Sequence, residues 1–313
     1  MVRIAVLGVG RMGAPIARRL AASAEVVAFD PDARRLAELG DEVETAPSQD
    51  AAVVRADIVV AVLPGAREQP TVLRRALATG SLDGEPGMLL VDLTSGHPGT
   101  ARELQAAARR DGAGYVAAPM SGDPAAAAEG ALQLLVGGTA VDVEKADAVI
   151  APLVCNGGRA RHISEDAGAA PLAKLLVNGL WFAQAIAMAE AVRTGERAGL
   201  PASVLRDVLR GSAADSAYVD RYLDRFLAGD EMTEFALHRV VEELDILGSL
   251  QDVGGFADGV LAASHAIHAR ALAEFGEGHG ELTAAQWVRG RHAGASSSPP
   301  SETSSGPTAS STA

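Results

Sequence analysis

From Val2 to about His162, short β-rich apolar runs alternate with stretches whose apolar residues recur at helical spacing. The runs that read as strands are Arg3–Leu7, Val26–Asp30, Ile58–Leu63, Leu89–Asp92, Tyr115–Ala118 and Leu132–Val136. Strands alternating with helices of about 10–15 residues make βαβ units and hence a parallel sheet. The unbroken apolar character of Ile58–Leu63 suits a strand covered on both faces. After Glu165 the β-rich runs stop. Apolar residues at helical spacing follow, at Leu172, Leu175, Leu176 and Leu180 and again at Val204, Leu205, Val208 and Leu209, so the second half is expected to be all-helical. One long helix is predicted from about Gly168 to Ala198, and after the Gly199-Leu200 break Pro201 suits the first turn of the next. The most apolar later stretch, Gly179 to Met188, falls short of the roughly 20 residues that span a bilayer and reads as a buried helix. From His292 to Ala313 the chain is mostly Ser, Thr, Pro, Gly and Ala, with no Val, Ile, Leu or aromatic residue. That composition cannot offset the entropy of ordering, so a disordered tail is expected there.

Gly8-Val9-Gly10-Arg11-Met12-Gly13 follows the first strand and opens a helical pattern in which Met12, Ile16 and Leu20 share one face. Gly8 permits a tight turn, Gly10 lets a pyrophosphate approach the backbone, and Gly13 lets helix and strand pack closely. The helix N-terminus adds N–H donors and a positive dipole. Alone, G-x-G-x-x-G is a weak signal. A strand before it, a helix after it and Asp30 about 20 residues on, where an acid accepts bonds from an adenine ribose, strengthen the dinucleotide reading. The alternative is a glycine turn in an unrelated α/β sheet, which would not require that acid. Asp30 favours NAD; Arg34 and Arg35 keep NADP open, because arginine accommodates a 2′-phosphate. The expected architecture is α/β: a Rossmann-type parallel-sheet domain over 1–164, an all-α domain over 165–291, and the tail over 292–313.

Composition narrows the function. With 313 residues, 48% of them hydrophobic, the chain has material for two cores. Lys+Arg total 27 against 40 for Asp+Glu, a net charge of −13 that opposes nucleic acid and anionic lipid. Arg18/Arg19, Arg34/Arg35 and Arg74/Arg75 are isolated pairs that read as solvated helix faces. A single cysteine, Cys155, rules out an internal disulfide and a Cys-cluster zinc site and points to a reducing, cytoplasmic setting. It is expected to pack in a sheet-edge loop. The N-terminus lacks the longer apolar region of a signal peptide. His265 and His268 lie three apart without paired acids or cysteines, so no metal is expected. His97, between Ser95 and Pro98, is a weak candidate for substrate contact.

Further motifs sharpen the picture. The fingerprint has the form G-x-G-x-M-G, and Leu63-Pro64 follows a strand. Asp92-Leu93-Thr94-Ser95, with Pro98, is similar to D-x-S-T-x-x-P. Ala118-Pro119-Met120-Ser121-Gly122, with Gly137-Gly138, is similar to A-P-V-S-G-G. Gly168, Lys174 and Asn178-Gly179 follow in the pattern G-x5-K-x3-N-G, and Gly211-Ser212, Ser216, Phe235 and Gly278-His279-Gly280 come later. Over about residues 1–290 the chain resembles the β-hydroxyacid dehydrogenase family, which includes 3-hydroxyisobutyrate, tartronate semialdehyde and 6-phosphogluconate dehydrogenases.

The resemblance implies hydride transfer between nicotinamide C4 and a small hydroxyacid or related carbonyl. Gly8, Val9, Gly10, Arg11, Met12, Gly13, Asp30, Leu63, Pro64 and Ser95 would hold the cofactor. Ser121, Gly122 and Ser95 would contact substrate, Lys174 would act as general acid/base, and Asn178 would orient the reacting oxygen. Lys174 and Asn178, four apart, share a helix face and can address one hydroxyl. A free lysine is a poor base at neutral pH, so burial and the positive charge of oxidised nicotinamide must depress its pKa. A lone helical lysine is most often solvated; here Leu172, Ala173, Leu175 and Leu176 surround it in sequence.

Two departures stand out. Ser121-Gly122-Asp123 replaces S-G-G, and Glu242-Glu243-Leu244 replaces K-D-L, removing a cation; both are expected to make the cleft more negative. Trp181 stands where the sugar-phosphate enzymes carry glutamate, which argues against 6-phosphogluconate. These changes point to a neutral or amine-bearing substrate. An imine or ketone reductase is the enzymatic alternative, and a non-catalytic dinucleotide-binding protein the other. The helical half has more apolar surface than a small bundle hides, so a homodimer or homotetramer is expected.

Overall fold

The structure is a computed structural model and describes residues 1–81, 87–250 and 258–290. The strands are β1 (Arg3–Leu7), β2 (Glu25–Phe29), β3 (Glu44–Thr45), β4 (Ile58–Ala61), β5 (Leu89–Asp92), β6 (Gly114–Ala117), β7 (Met120–Ser121), β8 (Gln133–Gly137) and β9 (Arg159–Ser164). The helices among them are α1 (Gly13–Ala21), α2 (Ala33–Ala37), α3 (Gln49–Val53), α4 (Gln69–Ser81), α5 (Pro98–Arg110), α6 (Pro124–Glu129), α7 (Ala140–Lys145) and α8 (Asp147–Val154). After Ser164 the described chain is helical: α9 (Ala169–Arg197), α10 (Ala202–Leu209), α11 (Ala217–Arg221), α12 (Leu223–Leu227), α13 (Leu237–Ser249), α14 (Val260–Phe275) and α15 (Thr283–Arg289).

The strands form one sheet in the order β3-β2-β1-β4-β5-β6-β8-β7, with β9 added on β8. From β3 to β6 every pairing is parallel. β8 runs antiparallel to β6 and β7 and parallel to β9. Alternate residues feed opposite faces: Ile4, Val6, Ile58 and Val60 join one apolar cluster, and Ala5, Leu7, Val59 and Ala61 the other. Helices cover both faces, as the unbroken apolar strands require. From β1 the chain winds outward to β2 and β3, then returns to β4 and winds outward the other way. The carboxyl ends of β1 and β4 therefore flank a crevice at the switch point, where open α/β sheets take their ligands.

The main predicted strands are present within a residue or two of their expected bounds. β3, β7 and β9 were not expected. The first two have two residues each, and β9, Arg-Ala-Arg-His-Ile-Ser, is largely exposed along the sheet margin, where polar side chains are favoured and apolar periodicity is lost. α9 spans the predicted range, with Gly168 and Ala198 as its caps. Pro201 is a correction: it is the N-cap of α10, in extended conformation, and lies outside the first turn.

The short apolar run Gly179 to Met188 also needs correcting, because it belongs to a 29-residue helix that is long and apolar enough, by composition, to cross a membrane. In the fold its first turns rest on α5, β8 and β9, and later turns are flanked by α10, α11, α13, α14 and α15, the surroundings of a core helix. Gly179 lets α13 approach: a Cβ there would stand 2.8 Å from Leu247 Cδ1. The two sides of α9 differ. Leu175 and Phe182 are buried, whereas Leu176, Val177 and Leu180 are about half exposed. The expected tail, 292–313, lies outside the described residues.

Candidate active site

The glycine loop is built from the end of β1. Gly8 has φ +92°, and a Cβ there would collide with the Val62 carbonyl. A Cβ on Gly13 would collide with the Gly8 carbonyl. Gly10 differs: its φ lies outside the left-handed region, and the nearest atom to a Cβ would be Arg35 Nη1 at 3.7 Å. The fold thus demands Gly8 and Gly13 and leaves the space over Gly10 to an incoming group. Met12 precedes α1 and provides no side-chain cap. Ala14 N already donates to the Gly10 carbonyl at 3.0 Å and Pro15 has no N–H, so it is the Gly13 amide at the start of α1 that is left to a ligand, which suits a pyrophosphate. These features fit a dinucleotide.

Asp30 fixes the loop. Its Oδ2 accepts from Val9 N at 3.0 Å and its Oδ1 from Asp32 N at 2.9 Å. The carboxylate assigned to the ribose is thus mostly spent on backbone amides, and its side chain is only 2% exposed. Arg35 Nη1 lies 3.4 Å from Asp30 Oδ2 beside Gly10, whereas Arg34 turns to Asp32 and stays exposed. Leu63 N donates to Thr94 Oγ1 at 3.1 Å, with Pro64 exposed after it. Arg11 crosses to the helical half, where its Nη1 donates to the Thr233 carbonyl at 3.1 Å.

The candidate catalytic residues assemble around α9. Lys174 Nζ donates to Ser121 Oγ at 2.7 Å, so β7 and α9 bring together two residues 53 positions apart. Lys174 is buried, and burial pulls its pKa below the ordinary lysine value; Glu243 and Glu281 oppose that shift in part. Asn178 Nδ2 donates to Glu243 Oε2 at 2.6 Å, and the Ser95 hydroxyl bonds the same carboxylate. Burial raises the Glu243 pKa, with Lys174, Asn178 and Ser95 acting against it. Trp181, one turn past Asn178, donates from Nε1 to Glu281 Oε2 at 2.9 Å. Burial lifts Glu281 to a pKa of about 7. Gly122, with φ +135°, carries the chain on from Ser121, where a Cβ would meet Leu132 Cδ2 at 2.8 Å. Lys174, Asn178, Ser121 and Ser95 are thus gathered at one place. The arrangement can take up or give a proton at Nζ while fixing a polar substrate beside the carboxyl ends of the strands.

The two acidic departures do not act as expected. Asp123 caps α6, accepting from Ala126 N at 2.8 Å, which explains why an acid precedes Pro124. Asp123→Ala should cost about 1 kcal/mol in denaturant unfolding and leave turnover unchanged. Glu242 is paired with Arg239 at 2.6 Å, and the pair lies against Gly65, so a cation one turn earlier offsets its charge. His97 Nδ1 caps α5 by accepting from Gly99 N at 2.9 Å. Cys155 is exposed after α8, with Sγ 2.7 Å from Arg19 Nη2, and does not pack inside a loop.

Sequence reasoning missed Glu243 and Glu281 as site residues. Glu243 was noted only as part of an altered triplet, and Glu281 is the residue immediately after the Gly278-His279-Gly280 motif. A separate cavity of about 710 Å³ between α9, α10, α12 and α15 is lined by charges that pair with one another, Arg289 with Glu196 and Arg206 with Asp224.

Residues 3–155 match the family model described as the NAD binding domain of 6-phosphogluconate dehydrogenase. Residues 168–288 match the one described as NAD-binding of NADP-dependent 3-hydroxyisobutyrate dehydrogenase. The chain is 33% identical over 193 residues to a probable 3-hydroxyisobutyrate dehydrogenase of Mycobacterium tuberculosis, covering 61% of this chain and 63% of that one. It is 32% identical over 204 residues to the NAD-dependent L-serine dehydrogenase of Pseudomonas aeruginosa, covering 62% and 64%. The matches span just under two thirds of the length of these curated relatives. Among solved structures, Mycobacterium tuberculosis 3-hydroxyisobutyrate dehydrogenase with L-serine superposes with a TM-score of 0.81 and 27% identity, over 92% of this chain and 99% of that one. An imine reductase of Streptomyces aurantiacus, at 21% identity and a TM-score of 0.56 over 91% and 99%, shares the fold alone.

Proposed function

The chain belongs to the β-hydroxyacid dehydrogenase family, and from that premise we propose that it is an NAD(P)-dependent oxidoreductase acting on a small hydroxyacid or related carbonyl compound. The observation that carries the reading is the buried Lys174 amine, 2.7 Å from Ser121 Oγ and on one helix face with Asn178. Burying a lysine without a direct carboxylate partner costs stability, and a protein that only binds dinucleotide has no use for that cost.

The bound cofactor would supply the hydride acceptor at nicotinamide C4. Gly10, the uncapped start of α1 and the loop held by Asp30 would hold it. In the oxidative direction Lys174 Nζ, whose pKa burial lowers, takes the substrate hydroxyl proton. In reduction the protonated Nζ returns it to the carbonyl oxygen. Ser121 fixes the position of Nζ, and Glu243 holds Asn178 and Ser95 in place. NAD is the favoured cofactor and NADP remains accessible through Arg35.

A homodimer or homotetramer in a reducing, cytoplasmic setting is part of the same proposal. Its support is the half-exposed apolar stripe Leu176, Val177 and Leu180 and the exposed Val204 and Val208. Light scattering at micromolar concentration should give a multimer; a monomer contradicts that part. The function itself is tested by following NADH and NADPH oxidation across small aldehydes, keto acids and imines. Turnover of a carbonyl compound supports the proposal, and turnover restricted to imines would favour the reductase reading.

A further inference from the structure

The proposed proton transfer leaves one buried carboxylate unused. Asp92, the last residue of β5, is 1% exposed. Its Oδ2 accepts from Gln69 Nε2 and from the Tyr115 hydroxyl, the latter at 2.9 Å. Its Oδ1 accepts from Thr94 N at 3.1 Å, and the Thr94 hydroxyl bonds the same carboxylate. All of these partners are neutral. Burial pushes the Asp92 pKa up, and the converging donors hold it down. Burial and the neighbouring carboxylate raise the Tyr115 pKa well above its ordinary value, so that hydroxyl keeps its proton.

Asp92 pairs with Ala61, the last residue of β4, whose carboxyl end flanks the crevice. Thr94 gives its hydroxyl proton to Asp92 and accepts from Leu63 N through the same oxygen, at 3.1 Å. Gln69 packs against the next turn, where a Cβ on Gly96 would collide with its amide. The Leu63-Pro64 and Thr94-Ser95 turns, both assigned to the cofactor, are thus tied to one buried anion. Holding those turns does not require a charge. An asparagine in place of Asp92 would keep the Thr94 bonds on its oxygen and turn its amide toward Tyr115 Oη and Gln69 Oε1, an atom that is buried with no partner. Burying a carboxylate among neutral groups costs stability. A charge at a position where a neutral isostere fits therefore points to a cation that arrives with the ligand.

Resting on the dehydrogenase reading above, we infer that Asp92 is a positioning residue whose charge favours the oxidised, cationic form of the cofactor over the reduced form. The oxidised nicotinamide carries a positive charge that the reduced ring lacks, and a fixed anion in a crevice of low dielectric discriminates between them. Glu243, bonded to Ser95, is a second buried acid, but the Lys174 charge opposes it. Asp92 has only neutral partners. The bound couple then has a lower reduction potential than it would beside a neutral residue. Hydride passes more readily from the bound reduced cofactor to a carbonyl carbon, with Lys174 Nζ giving the proton to the carbonyl oxygen.

Asp92→Asn removes the charge with little change of shape. Titration of the full chain with NAD+ and NADH, and with NADP+ and NADPH, at about pH 8 reads the affinity of each form with no substrate present. For the better-bound pair, Asp92→Asn should lower the ratio of the reduced-form Kd to the oxidised-form Kd about fivefold or more. Thermal stability should be kept or raised, because a buried charge without a cation is gone. Tyr115→Phe removes one hydrogen bond from the same turns and leaves the charge, so its ratio should stay within about twofold of the wild type. An unchanged ratio in Asp92→Asn, an equal change in Tyr115→Phe, or an Asp92→Asn chain that does not fold overturns the inference and leaves the dehydrogenase reading standing. A wild type that binds none of the four overturns that reading, and the inference with it.

Discussion

Replacing Lys174 by alanine should lower kcat by about 10²–10⁴-fold while cofactor affinity stays within about threefold. The size follows from what is lost. In the proposed mechanism Nζ exchanges a proton with the substrate oxygen, and Ser121, whose hydroxyl accepts from it, has no comparable basicity. The cofactor cradle at Gly8 to Gly13 lies between β1 and α1, whereas Lys174 on α9 bonds Ser121. Removing the lysine leaves Glu243 bonded to Asn178 and Ser95 and still buried, so its pKa should rise further as the opposing positive charge disappears. The site therefore becomes more neutral without losing its framework. Steady-state kinetics beside a cofactor titration separate the two effects. Equal loss of turnover and cofactor binding would mean that Lys174 holds the fold instead.

The second large effect is expected in the glycine loop, where two substitutions of the same size should fail for different reasons. Gly13→Ala forces a Cβ into the Gly8 carbonyl, a backbone atom that cannot turn aside, and should cost about 3 kcal/mol or more of stability. Gly10→Ala meets only ordinary contact at 3.7 Å, from the end of a flexible arginine, and should leave stability within about 0.5 kcal/mol. It nevertheless fills the space a pyrophosphate must enter, so cofactor affinity should fall about 30-fold or more, the worth of one or two charge-assisted hydrogen bonds. Denaturant unfolding and cofactor titration of both variants test the distinction. If Gly10→Ala binds NAD and NADP normally, the phosphate is not held over Gly10.

The parts of this fold that were legible in the sequence are those governed by local rules. Ile58–Ala61 and Leu89–Asp92 are unbroken apolar runs because both faces are covered, and α9 stops where Gly199 allows φ +87°. β9 was hidden because a marginal strand facing water carries Arg, His and Ser in place of apolar alternation. Asp123 shows a different difficulty. Compared with a family motif it looks like a charge in the cleft, yet an acid immediately before Pro124 at a helix start is a capping signal, and the local rule prevails. The site was half legible: Lys174, Asn178, Ser121 and Ser95 sit in recognisable segments. Glu243 and Glu281 do not, because each meets its partner on α9 from 65 and 100 residues away, a relation that only the packing of α13 and α15 creates.

The central claim is that Lys174 is the proton acceptor in oxidation, and the pH dependence of kcat/KM for an oxidised hydroxy substrate tests it most directly. Oxidation needs the free amine, so the rate should rise with pH through the Lys174 pKa and then level off. Because burial lowers that pKa, the plateau should arrive below the ordinary lysine range. The account predicts this rising limb in the wild type and its loss in Lys174→Ala. An identical limb in the variant, or a limb at the ordinary lysine value, would contradict it.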